Sequence, residues 1–199
     1  MVKDLLLRRY ATKKFEPSFV ISPEDLHEIL EAARLSCSSA NSQPWHIMVV
    51  TNPELRKQLQ GVSYGQPQVV EASVLLILSV MKDPLIRIQK TADLILQSVG
   101  KDHADKYLVV AKGSIPQDEA MRIAWLQRQS YLALQAMILA AIERGIDSCP
   151  MEGFQPTACA DILQRADIVP TAFLALGKAA KPGFAKIRLP LEDIVEYRN

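Results

Sequence analysis

Four short stretches of this chain carry side chains that could act on a charged or electron-poor ligand. Arg8, Arg9, Lys13 and Lys14 put four cations into seven residues just ahead of Phe15. Arginine forks and lysine point charges are the groups that hold a phosphate. Near the other end, Lys186-Ile187-Arg188 sets two more cations in one alternation phase before Leu189-Pro190. Cys37-Ser38-Ser39-Ala40-Asn41-Ser42-Gln43-Pro44-Trp45-His46 is dense in hydroxyls and amides that no strand ladder uses. In Cys149-Pro150-Met151-Glu152-Gly153-Phe154, Pro-x-Glu-Gly reads as a tight turn. Its glycine allows a ligand to approach main-chain donors that a Cβ would block. Taken singly, each stretch has a plainer reading as solvated charge or ordinary turn chemistry.

The elements around these stretches can be read from caps and periodicity. Residues 4 to 8 suit a short helix ending at the basic pair. Ser22-Pro23-Glu24-Asp25 offers a capping hydroxyl, a proline at the first helical position and an acid three residues on. Leu26, Ile29, Leu30 and Ala33 then recur at helical spacing. Ile47 to Val50 is short and β-branched, hence a strand. Asn52-Pro53-Glu54 opens another short helix with Leu55 and Leu59 inward. Tyr64 to Ser73 reads as a turn, with Gly65 and Pro67 as its punctuation. The apolar run Val74 to Val80 predicts a central strand covered on both faces.

Leu94, Ile95 and Val99 suggest a helix in an otherwise uninformative region from 84 to 112, where Lys101 to Lys106 is charged and expected on the surface. From about Gln117 to Arg144 the chain has its longest periodic segment, stopped by Gly145. Between Tyr131 and Ile142 its only strongly polar side chain is Gln135. Such a helix belongs in the middle of the molecule or in a subunit contact. A short helix over 156 to 165, a strand over 171 to 177 and β character over 191 to 197 complete the reading.

At 199 residues the chain supports one substantial core and one domain. A net charge of +1 gives no support for nucleic acid or an anionic membrane as partner. No apolar stretch approaches the ~20 residues that span a bilayer, and the short apolar run after Met1 lacks signal-peptide form. A cytoplasmic location is the expectation. Cys37, Cys149 and Cys159 show no ligand spacing, and His27, His46 and His103 are scattered, so no metal site is expected. There is no G-x-G-x-x-G, Walker loop or H-E-x-x-H. Redox chemistry in such a chain needs a cofactor to supply the reactive atom.

A helix followed by Ser38-Ser39-Ala40-Asn41-Ser42-Gln43-Pro44-Trp45 and a strand resembles the nitroreductase family of FMN-dependent flavoproteins. The likeness extends over nearly the whole chain. Arg9, Lys13 and Phe15 match the family's basic, small, basic, aromatic pattern, with Tyr10 and Ala11 departing from the basic or histidine residue and the serine that many members carry. The resemblance implies an α+β nitroreductase-like fold: a central mixed, mostly antiparallel sheet flanked by helices, with a long buried helix at a homodimer interface. It also implies that a C-terminal tail, from about 186 to 199, extends over the partner subunit.

By the same resemblance, Arg9, Lys186 and Arg188 clamp the FMN phosphate, and Lys13 and Gln68, with Gln66 beside it, meet the ring. Tyr10 and Ala11 lie alongside. Met151 and the backbone of Glu152 and Gly153 face the reactive flavin edge. Cys37, Ser38, Ser39 and Asn41 hold the ribityl chain and phosphate, often from the neighbouring subunit. The implied activity is reduction of nitroaromatic or quinone-type acceptors by NADH or NADPH in a ping-pong scheme, the hydride being carried by FMN. The alternatives are an enone or halogenated aromatic as acceptor, or a non-catalytic flavin-binding or storage protein.

Overall fold

The structure, a computed structural model, describes residues 1–198. Four strands form one sheet in the order β1-β2-β4-β3: β1 Trp45–Val50, β2 Val74–Met81, β3 Asp147–Met151 and β4 Ile168–Gly177. Every pairing is antiparallel, and the parallel component reduces to an isolated bridge between Ala11 and Ser148. Seven of the eight residues of β2 are buried, which fits its continuous apolar run and its central place between β1 and β4.

The two faces of the sheet carry different cores. Leu76, Leu78, Leu174 and Leu176 pack on one side with Ile29 and Ala33 of α2 (Pro23–Arg34) and with Ala133, Met137 and Ala141 of the long helix. Leu75, Ile77, Phe173 and Ala175 pack on the other with Phe15, Leu59, Phe154 and Cys159. The alternation along β2 and β4 is the period-two geometry of a strand covered on both sides. Phe154 and Phe173 stack at 4.2 Å between ring centroids, tying the segment after β3 to β4.

The helices follow their signals. Ser22 Oγ accepts from Asp25 N at the start of α2, and Asn52 Oδ1 accepts from Leu55 N at the start of α3 (Pro53–Gly61). The long helix, here α7 (Glu119–Glu143), is capped by Asp118, and Gly145 beyond it has φ of +72°. It is preceded by α1 (Val2–Arg8), the single turn α4 (Gln68–Glu71), and the hairpin of α5 (Leu85–Ser98) and α6 (Lys101–Gly113), and followed by α8 (Pro156–Ile162). Lys101 pairs with Asp105 on the exposed face of α6. No helix among the described residues is long and apolar enough to cross a membrane.

The tail departs from its sequence expectation. Residues 191 to 197 form a 3-10 turn at Leu191–Asp193 followed by irregular chain, not a strand. A strand exists only by pairing, and this segment pairs with no strand among the described residues. The Pro150-Met151 dipeptide also departs from a pure turn, since it closes β3 opposite Leu174 and Phe173.

Candidate functional site

The cationic segment after α1 is held between β3 and the tail. Thr12 N donates to Ser148 O at 3.0 Å, Ala180 N donates to Lys14 O at 3.0 Å, and Phe15 bridges Ala179. Lys186 Nζ reaches across to Arg9 O at 2.7 Å. Residues 9–13 and 186–188 are thereby brought to one cavity of about 580 Å³, lined by Arg9, Tyr10, Ala11, Lys13, Lys186 and Arg188 among others. That size lies within the roughly 300–1,000 Å³ of small-molecule sites. None of these cations forms an ion pair among the described residues. Burial, then the like charge of Arg188, lowers the proton affinity of Arg9. Burial, then Arg9 and Arg188, does the same to Lys186. The site holds concentrated positive charge that an anion would neutralise.

Tyr10 serves a different contact from its neighbours. Its hydroxyl donates to Lys181 O at 3.3 Å, and a Cβ on Gly183 would lie 2.2 Å from its ring. Only glycine admits that packing, so Tyr10 fastens the tail to the N-terminal segment.

A second cavity, about 350 Å³, opens at the end of β3 between Pro150, Met151 and Glu152 on one side and Tyr131, Leu134 and Gln135 of α7 on the other. Arg9 lines both cavities, so they adjoin. The Tyr131 phenol is pushed up to about 12, by burial first and then by the Glu152 carboxylate. Beside it, Gln66 Nε2 donates to Gly153 O at 2.7 Å, and a Cβ on Gly153 would stand 2.9 Å from the same nitrogen. The glycine leaves room for this close approach of the flexible Gln66 amide and does not serve a left-handed backbone.

Gln68 is buried, and its Oε1 has no hydrogen-bond partner. It sits in a polar group with Lys13 and Cys149: Lys13 Nζ is 4.0 Å from Cys149 Sγ, and burial raises that thiol against the lowering influence of Lys13, Gln68 and Arg9. An orphaned acceptor in such a place costs about 1–3 kcal/mol and marks where a donor belongs.

Arg56 was invisible to sequence reasoning, because nothing separates it from the other charged residues of α3. Its buried guanidinium donates to Val69 O, Ala72 O and Ser73 O. Three carbonyls at the end of α4 are satisfied by one side chain, which fixes the segment carrying Gln66 and Gln68.

The loop from Cys37 to Gln43 lies elsewhere. Cys37, Ser38, Ser39 and Asn41 line neither cavity of the chain. The loop is nonetheless firmly built: Ser39 N donates to Gln129 Oε1, Gln43 N to Ser38 Oγ, Gln43 Nε2 to Asn41 Oδ1, and Tyr107 Oη to Asn41 O. Ala40, Asn41 and Gln43 have φ of 50°, 45° and 41°. Left-handed residues other than glycine cost of order 1–3 kcal/mol each and cluster at functional sites. Gln129 and Tyr107 are positioning residues the sequence does not reveal: Gln129 lies in the polar run Gln127-Arg128-Gln129-Ser130, where nothing marks it as the buried member.

One antiparallel sheet thus carries, at one side, a cation-rich cavity that runs into a glycine turn flanked by a buried amide. That combination defines a protein with a cavity suited to a small anionic ligand, and with an unmet acceptor beside it. The chain belongs to the nitroreductase family, whose sequence profile matches residues 6–178. It is 33% identical to a Staphylococcus haemolyticus protein provisionally named an NAD(P)H nitroreductase, covering 95% of this chain and 93% of that one. A Bacillus subtilis protein, YfkO, also provisionally named an NAD(P)H nitroreductase, is 33% identical with the same coverage. The fold matches the crystal structure of a provisionally named nitroreductase in complex with FMN from Exiguobacterium sibiricum, with a TM-score of 0.89 at 23% identity over 100% of this chain and 97% of that one.

Proposed function

We propose that this chain is an FMN-dependent oxidoreductase that uses NADH or NADPH to reduce a small electron-poor acceptor, a nitroaromatic or a quinone. The observation that carries the reading is the convergence of Arg9, Lys13, Lys186 and Arg188 on one cavity joined through Arg9 to the Glu152-Gly153 turn. The residues fit the cofactor. Unpaired cations suit its phosphate, and the orphaned Gln68 Oε1 suits a ring N–H as donor. FMN, when bound, supplies the atom that accepts hydride from the nicotinamide and returns it to the acceptor.

The chain's own residues hold and bias that chemistry. Arg9, Lys186 and Arg188 anchor the phosphate by charge-assisted contacts. Lys13 stands beside the amide of Gln68 and favours negative charge developing at the near end of the ring, as donors do at an oxyanion. The backbone N–H groups of Glu152 and Gly153 are the donors for the reacting edge. Ser38, Ser39 and Asn41, built into a rigid loop away from these cavities, serve the site of a second copy in a homodimer.

The purified protein is expected to be yellow and to bleach when NADH or NADPH is added under nitrogen. Double-reciprocal plots with a quinone acceptor should be parallel, the signature of ping-pong exchange. A preparation that stays colourless after FMN addition, or a yellow one that neither nucleotide bleaches, overturns the reading.

A further inference from the structure

We infer that the reductant is NADPH in preference to NADH, with Lys14 and Lys181, exposed residues that line the basic cavity, holding its ribose phosphate. This rests on the FMN reading above. Seven basic side chains and no acidic one line that cavity, in a chain whose net charge is only +1. FMN accounts for four of them: Arg9, Lys186 and Arg188 at its phosphate, and Lys13 at its ring. Arg8, Lys14 and Lys181 remain, all exposed and none in an ion pair among the described residues.

Charge decides between the two nucleotides. A phosphate monoester carries about −1.5 to −2 at neutral pH, so the flavin phosphate leaves most of the cavity's positive charge unanswered. NADH brings only its pyrophosphate. NADPH adds a monoester phosphate, the group for which compact lysine ammonium charges are suited.

The two lysines are placed together, not merely near one another in composition. Ala180 N donates to Lys14 O at 3.0 Å, which fixes the segment leading to Lys181 alongside Lys14. Tyr10 Oη donates to Lys181 O, and the Tyr10 ring packs on Gly183. Thus Tyr10 sets the position of Lys181, which explains an aromatic residue in the midst of cations.

The test is isothermal titration of the FMN-loaded protein with NADP⁺ and NAD⁺, neither of which can reduce the flavin. NADP⁺ should bind at least about tenfold more tightly at low salt, corresponding to ~1.4 kcal/mol. The double variant Lys14→Ala/Lys181→Ala should lose most of that preference while retaining its yellow colour and its NAD⁺ affinity. On the unaltered protein, NADP⁺ affinity should fall more steeply with added KCl than NAD⁺ affinity. Equal affinities for the two nucleotides, equal salt slopes, or a preference that survives in the double variant would each overturn the inference while leaving a yellow, bleachable protein intact. A preparation that will not take up FMN overturns the flavin reading and this inference together.

Discussion

Arg188 illustrates how one side chain can weigh on the empty and the loaded site in opposite directions. Its charge lowers the proton affinity of both Arg9 and Lys186, so in the absence of an anion it adds repulsion. Its own guanidinium has only the neighbouring Ile187 carbonyl as a partner, at 2.6 Å. Arg188→Ala should therefore leave the stability of the flavin-free protein unchanged or slightly raised in urea unfolding. The same change should weaken FMN binding roughly ten- to a hundredfold, the equivalent of a lost charge-assisted contact of about 1.5–3 kcal/mol. Fluorescence titration with FMN reads the second effect directly, and an unchanged dissociation constant would remove Arg188 from the phosphate clamp.

At the scale of the element, the segment from Tyr64 to Ser73 shows why a single turn can carry two site residues. The helix α4 has four residues, far too few to be stable alone. Arg56 supplies what the helix cannot, by taking carbonyls of Val69, Ala72 and Ser73. Arg56→Leu keeps the bulk but leaves those acceptors without a donor, at about 1–3 kcal/mol for each that stays buried. A loss of roughly 3 kcal/mol or more is expected by urea denaturation, together with weaker FMN retention through Gln66 and Gln68. Arg56→Lys should not rescue it, because one ammonium cannot reproduce a planar fork that spans three carbonyls.

The same segment marks the boundary of what sequence can reveal. Caps, the apolar run of β2 and the long α7 were legible because local chemistry announces them. The paired cations were legible by residue type and by resemblance. Arg56 was not, since burial of a charged side chain depends on which carbonyls the fold leaves nearby. Tyr10 lines the cation-rich cavity, but its contacts with Lys181 and Gly183, more than 170 residues further on, have no local signature. The β character of 191 to 197 was a true local preference without a partner strand in the same chain.

For the whole molecule, three separate observations support the proposed second copy. The loop bearing Ser38, Ser39 and Asn41 is rigid yet lines neither cavity. Along α7, Met121 is 64% exposed and Leu132 44%, although the opposite face is fully packed. The tail leaves the large apolar side chains of Phe184 98%, Ile187 85% and Tyr197 81% exposed. A homodimer that buries α7 and receives the tail answers all three at once.

Light scattering on the FMN-loaded protein should then give twice the chain mass; a monomer mass would remove the dimer. Ending the chain at Pro190 keeps Lys186 and Arg188 but removes Leu191, Ile194 and Tyr197. That truncation should leave a yellow protein that falls to the monomer mass at a higher concentration than the full chain does, because dilution dissociates a weakened dimer first by mass action. If truncation alters neither the mass nor the concentration dependence, the tail contributes nothing across the interface, and its apolar residues require another partner.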